Sequence, residues 1–428
     1  MKNILFLLAD DLAARVVLGP DPRPPRPALK ELMRRGTTFT QAISSATMTT
    51  QCVASIFTGC YSFLNGIRSL RGDVLLPSVR TLAQELHVHG YRTHALLTGP
   101  LWEGTGLERG FDRCEYAKPS PTLAAHWRDR IHTLMDSEPG QAPWFIYAHF
   151  YDMHAPRVVA PEFHRAEFGA TVYERALATL DQRFAEILGR IDWDRTIVVF
   201  HADHGELFPE TPALELREKL WQDVILGHKP PLLRLGLRKD PTVKSWTRLK
   251  RLTQMGHGFN LSEGLVRVPL IISGADALPA GQVVTAQARQ VDLMPTLLEL
   301  TGLIPPSGIS GRSLVPLVQG RDQAVRPAYM ETYGFGRDPN FFMRGLRLPE
   351  WKYIDSPTDL RVRPQLYDLA ADPGERRNVL QQHPEVAAEM QRLLTQETTA
   401  AAPARENEIW TAEESAIVQE RLRNLGYF

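Results

Sequence analysis

Three short apolar runs in this chain end on acids and histidines. Residues 4–8 lead into Asp10 and Asp11, residues 144–149 into Asp152 and His154, and residues 196–200 into Asp203 and His204. Apolar runs of this length, without polar alternation, read as strands buried on both faces, the usual state of a parallel sheet. Amphipathic stretches at 28–35, 81–89, 173–191 and 292–301 lie among them, with further strands expected at 93–97 and 269–272 and a helix through 55–58. Gly36 and Gly90 stop the first two helices. Strand–helix alternation predicts an α/β fold: a mainly parallel central sheet with helices on both faces. Such sheets place ligands outside the carboxyl ends of their strands, which is where these acids and histidines fall.

The character changes near residue 320. Strands are expected at Ala328–Thr332, 342–346 and 351–354, and a closing helix at 384–395 with proline in its first turn. The expected organisation is a catalytic domain over 1–320, a small C-terminal α+β subdomain over 321–398, and a polar helical tail over 399–428. An insertion at about 207–255 carries a basic stretch in which Lys229, Arg234, Arg238, Lys239, Lys244, Arg248, Lys250 and Arg251 face only Asp240, beside Trp246. It reads either as a solvated surface segment or as a cap that attracts an anionic substrate or a lipid.

Charge excludes some classes. Lys+Arg and Asp+Glu both number 49, so the balance favours neither nucleic acid nor a membrane surface. Three cysteines, Cys52, Cys60 and Cys114, form no disulfide framework and no zinc spacing. The N-terminal apolar run is too short for a signal h-region and ends in two aspartates. No apolar run is long enough to span a membrane. A soluble, cytoplasmic protein is the expectation, with the oligomeric state left open.

The clusters of acids and histidines define the chemistry. A fourth, His257, sits between glycines about 250 residues from Asp10. Each alone has an ordinary explanation: a strand-to-loop turn for Asp10 and Asp11, a loop histidine for His204, a turn residue for His257. Gathered at one end of a sheet, the carboxylates repel each other unless a cation neutralises them. Carboxylate and imidazole together suit Zn²⁺ or Mn²⁺ best, with Ca²⁺ or Mg²⁺ as the remaining choices.

The order of these pieces resembles the sulfatase-like branch of the alkaline phosphatase superfamily. The resemblance runs through ILFLLADD, ASIFTG, TLAQELHVHGYRTHALLTG, HFYDMHAP, TIVVFHADHGE, GHG followed by EGLVRVPLII, VDLMPTLLELTGL, ISGRSLVPL, QLYDLAADPGERRNV and the ending LRNLGYF. It implies a metal-dependent ester hydrolase with a small anionic ester as substrate. It also implies a metal held by Asp10, Asp203 and His204, with Asp11 a ligand or an orienting residue. The family's nucleophile lies five residues before the alanine of ASIFTG, which is Thr49. Sulfatases carry Cys-x-Pro-Ser-Arg there and oxidise the Cys to formylglycine; this chain reads TTQCV, with Cys52 at the Ser position. The sulfatase Lys–Trp–His motif is also missing, and His257 stands where sulfatases usually have Lys.

These departures point towards phosphate-type esters, cleaved through a metal-activated Thr49 and a covalent intermediate. Metal coordination lowers the pKa of a hydroxyl that is otherwise a poor nucleophile, and a helix start supplies N–H donors to an anion. Thr49 as a simple N-cap, or Thr50 as the reacting hydroxyl, are the alternatives. Asp152, His154 and His257 are expected either to hold a second ion or to leave His154 and His257 as acids for the leaving group. Three competing readings stand beside this one. They are a sulfate ester hydrolase without formylglycine, a transferase passing the Thr49-bound group to an alcohol, and a non-catalytic binding protein.

Overall fold

The computed structural model describes residues 1–19, 26–70, 73–101, 104–137, 142–207, 256–333, 342–358 and 362–399. The basic stretch with Trp246 and the tail from residue 400 lie outside the described residues.

The apolar runs form a mixed sheet of nine strands. In chain order they are β1 (Asn3–Ala9), β2 (Gly36–Ile43), β3 (Arg92–Leu97), β4 (Arg113–Tyr116), β5 (Trp144–Phe150), β6 (Thr196–Ala202), β7 (Arg267–Ser273), β8 (Gln282–Val284) and β9 (Ala288–Arg289). Across the sheet the order is β4-β3-β5-β1-β6-β7-β2-β8, with β9 also on β2. From β4 to β6 every pairing is parallel; β7 alone runs against both of its neighbours. The mainly parallel α/β architecture expected from the alternating runs is therefore the observed one.

β1 lies between β5 and β6, and Ala9 is level with Phe150 on one side and Ala202 on the other. The three strands thus end at one height, and the residues after each emerge side by side. β1, β5 and β6 are buried almost throughout, as their unbroken apolar runs require.

Helix ends follow local rules. Thr81 caps Leu82–Val88 and Thr171 caps Val172–Leu188; each makes a reciprocal capping box, with Gln84 and Glu174 respectively. Asp181, inside the second of these helices, accepts hydrogen bonds from the Ala28 and Leu29 N–H groups, satisfying the start of helix Pro27–Arg35. Several elements had no sequence expectation, β2, β4 and helix Leu123–Ser137 among them.

A second sheet is antiparallel, in the order β10 (Ala328–Thr332), β11 (Met343–Arg347), β12 (Trp351–Asp355) and β13 (Gln365–Asp368). Helix Pro384–Thr399 packs on it through Ala387, Met390 and Leu394. Ala46 bridges to Glu331, which joins β10 to the segment that leads into helix Thr49–Thr58. Among the described residues, no helix is long and apolar enough to cross a membrane.

The two sheets are locked by buried charge. Asp292, fully buried, pairs with Arg289 at 2.7 Å and Arg326 at 3.2 Å and accepts the Arg312 N–H. Burial would raise its pKa, but the two guanidinium groups hold it below the usual carboxylate range. Asp292→Ala leaves Arg289 in the core without its counter-ion and Arg326 with Asp322 alone. The expected loss is about 3–5 kcal/mol of stability, read as a fall in the denaturant midpoint; a change within experimental error contradicts this role.

Candidate metal centre

The strand ends deliver the predicted residues to one place. Asp10 continues β1, and its N–H donates to Phe150 O at 2.9 Å. Asp11 turns out of the strand in the left-handed region (φ 55°), which a short Asp side chain tolerates better than most. Its N–H donates to Asp203 Oδ1 (3.2 Å), and its carbonyl accepts the Tyr173 hydroxyl (2.6 Å). Asp203 Oδ1 also accepts the His204 N–H (2.7 Å). His257 sits between Gly256 and Gly258, both in the left-handed region (φ 79° and 83°), so the loop needs glycine on either side.

Two side-chain groups result. Asp10, Asp203 and His204 bring one donor atom each within 4.8 Å of one another. Asp11, His154 and His257 do the same. Asp11 Oδ1 is 3.1 Å from His204 Nδ1 and 3.1 Å from His257 Nδ1, so it stands between the two groups. Asp152 was expected with His154 and His257, but the structure places Asp11 there instead. Asp152 belongs to neither group, neither of its oxygens accepts a hydrogen bond, and burial raises it to about 7.

Two functional neighbours went unnoticed in the sequence. His149, inside β5, is fully buried with Nε2 3.3 Å from Asp10 Oδ2 and Nδ1 3.2 Å from Thr98 O. Burial works to lower its pKa, but contact with Asp10 raises it. Glu206 lies 3.0 Å from His257 Nδ1. Both had a legible signal. A histidine in a strand buried on both faces needs a polar partner, and Glu206 completes the ADHGE turn.

Thr49 is the first residue of helix Thr49–Thr58, and Met48 occupies the N-cap position. Its Oγ1 lies 3.4 Å from His204 Nε2, so the hydroxyl faces the Asp10–Asp203–His204 group. The Thr50 hydroxyl is buried without a hydrogen-bond partner. Cys52 Sγ points to Ala46 O at 3.2 Å, and burial pushes its thiol up to about 12.

The surroundings hold these pieces still. Gln290 donates to the carbonyls of Ala202 (3.2 Å) and Asp203 and accepts the Ser45 N–H (2.9 Å), tying β6 to the approach to Thr49. Thr332 Oγ1 donates to Gly258 O (2.8 Å). Lys352, wholly buried, donates to Leu261 O (2.7 Å) and pairs with Glu263 and Glu375. Arg347 holds Glu263 as well, at 3.0 Å. Burial alone would raise Glu263; Lys352 and Arg347 hold it at about 2. The second sheet therefore fixes the His257 loop at several points. Gly205 lets the chain pass close to it, since a Cβ there would lie 2.1 Å from Gly264 O.

The residues fit a divalent cation. Neither oxygen of Asp10 or of Asp11, nor Asp203 Oδ2, accepts a well-aligned hydrogen bond despite full burial. His204 Nδ1 faces Gly205 O (3.0 Å) and His154 Nδ1 faces Ala155 O (2.7 Å), which turns each Nε2 lone pair towards the carboxylates. Carboxylate and imidazole donors of this kind match Zn²⁺ or Mn²⁺ more closely than Ca²⁺.

A family model described as Sulfatase matches residues 2–303, and one described as N-sulphoglucosamine sulphohydrolase, C-terminal, matches 259–400. The arylsulfatase K of Xenopus laevis is 28% identical over 257 residues, 57% of this chain and 40% of that protein. The alignment thus spans two fifths of the curated relative's length. Among solved structures, the phosphonate monoester hydrolase of Agrobacterium radiobacter superposes with TM-score 0.69 at 17% identity, over 93% of this chain and 96% of that one. Another, in complex with its substrate D-glucosamine-2-N,6-O-disulfate, superposes with TM-score 0.68 at 17% identity, over 95% of this chain and all of that one. These two likenesses show the shared fold.

Charge at the centre sets a pH dependence. Without a cation, burial and then Asp203 raise Asp10 from 3.8 to about 6, and burial and then Glu206 raise Asp11 well above the carboxylate range. Asp203 and Asp11 hold His204 well above an ordinary histidine, against burial. All three groups favour the protonated folded state. The Asp10 contribution is complete below pH 3.8 and is lost as pH rises through about 6, while those of Asp11 and His204 are lost at higher pH, through their own raised values. Metal-free protein should therefore lose thermal stability across that window. Zn²⁺ or Mn²⁺ should raise Tm more at neutral pH than at pH 3.8. A Tm indifferent to chelator and cation contradicts the assignment.

Proposed function

Starting from the sulfatase family, to which this chain belongs, we propose that it hydrolyses phosphate or sulfate esters with the Thr49 hydroxyl as nucleophile. The observation that carries this reading is the placing of Thr49. It opens a helix, and its hydroxyl lies 3.4 Å from His204 within the Asp10–Asp203–His204 group.

The first turn of the helix leaves the N–H groups of Thr49, Thr50 and Gln51 without intrahelical partners, since the first helical bond runs from Cys52 N–H to Met48 O. Those donors and the helix dipole suit the oxygens of a bound ester anion. A divalent cation at Asp10, Asp203 and His204 would supply Lewis-acid charge that lowers the pKa of the Thr49 hydroxyl. Thr49 Oγ1 forms a bond to phosphorus or sulfur as the bond to the leaving oxygen breaks. The departing alcohol takes a proton from His154 or His257, the imidazoles gathered by Asp11. Water then attacks the Thr49 ester and gives a proton to the imidazole that protonated the alcohol; the Oγ1 bond breaks, and Thr49 recovers from solvent the proton it released on ionising.

Thr at this position favours phosphate-type esters, because no oxidisable Cys is available at residue 49 and Cys52 is held as a buried, neutral thiol. The second reading, a sulfate ester hydrolase without formylglycine, is supported by the curated arylsulfatase relative.

Turnover of 4-nitrophenyl phosphate, phosphonate and sulfate esters decides between the two. Thr49→Ala should lower kcat roughly 10³-fold or more while retaining bound metal, and Thr49→Ser should recover part of it. Cys52→Ala should keep its activity. Full activity in Thr49→Ala overturns the nucleophile. Loss of activity in Cys52→Ala, with the fold intact, returns the thiol to consideration.

A further inference from the structure

Arg157 follows the His154 turn and is half-buried, with Nε shielded from solvent and without a hydrogen-bond partner. No carboxylate among the described residues pairs with it. Other arginines that enter the interior have an acid: Arg289 and Arg326 have Asp292, Arg347 has Glu263, and Arg68 has Glu331. What holds Arg157 is an aromatic face. Its guanidinium carbon lies 5.1 Å from the centroid of the Tyr173 ring.

Tyr173 ties this cation to the reaction centre. Its hydroxyl donates to Asp11 O (2.6 Å) and accepts the Ala13 N–H (3.1 Å), so one side chain touches both the Asp11 backbone and Arg157. The guanidinium is pre-oriented by a buried ring that is itself hydrogen-bonded to the Asp11 backbone. A half-buried cation without an anion is unfavourable unless a ligand supplies one. A planar guanidinium with unclaimed donors matches an oxyanion in two-point contact.

We infer that Arg157 binds a second anionic group on the organic part of the substrate, a carboxylate or a further sulfate or phosphate. The preferred ester is then at least doubly charged, with one oxyanion at Thr49 and another at Arg157. This rests on the ester hydrolase reading above and adds the chemistry of the part that reading leaves open.

The test compares two sugars that differ by one oxyanion. D-Glucosamine 6-O-sulfate and D-glucosamine-2-N,6-O-disulfate are used as competitors of 4-nitrophenyl ester turnover, and their binding to metal-loaded protein is titrated by calorimetry. In the wild type the disulfate should bind roughly tenfold more tightly than the monosulfate. In Arg157→Gln that ratio should fall towards one, and Arg157→Lys should keep part of it. A wild-type ratio near one, or a ratio unmoved in Arg157→Gln, overturns the inference. A purely structural role for Arg157 weakens both sugars alike and leaves the ratio intact, which also overturns it. If the wild type turns over none of the 4-nitrophenyl esters, the hydrolase reading fails, and the calorimetric ratio still decides Arg157.

Discussion

Buried like charge is the constraint on which the rest of the site depends. Asp10, Asp11 and Asp203 crowd together in the interior with little hydrogen bonding to their carboxylate oxygens. Such a cluster is strongly unfavourable without a cation. The fold accepts it because three adjacent parallel strands end at one level, with β1 between β5 and β6. A parallel sheet buried on both faces gives rigid backbone up to the last residue of each strand. Only the positions just beyond can carry charge, so the acids fall where the sheet leaves room for them.

The second sheet contributes by holding what the first cannot reach. The loop around His257 has no place in the central sheet. Thr332, Arg347 and Lys352 pin its carbonyls and Glu263 from the side. Glu331 N–H donates to Ser45 O, and Gln290 accepts the Ser45 N–H, so the approach to Thr49 is fixed by both sheets. Thr49 and the imidazoles come from distant parts of the chain, and their relative placing depends on this packing. A change in the buried ion pairs of Lys352 would act on the chemistry through the position of His257.

Much of this was legible in the sequence, and the exceptions have physical causes. Asp10, Asp203, His204 and Thr49 could be read because each follows an apolar run or opens a helix in register with a known motif. Asp11 was read as an uncertain partner of the first group. Its left-handed backbone swings the side chain between His204 and His257, and spacing carries no signal of that turn. The resemblance groups Asp152 with His154 and His257, but it is Asp11 whose donor atom falls within reach of both. His149 was hidden inside an apolar run. β2 was missed because GTTFTQAI mixes polar and apolar residues, although burial covers nearly all of it. Gly36 ends one helix and begins that strand, so one residue served two elements.

The central claim is that Thr49 carries the group being transferred. It is tested most directly by quenching metal-loaded protein during turnover of a 4-nitrophenyl ester and mapping the peptide that contains Thr49 by mass spectrometry. The account predicts a phosphoryl, phosphonyl or sulfuryl adduct on Thr49 that disappears once substrate is exhausted. An adduct on any other residue, or a formylglycine derived from Cys52, contradicts it.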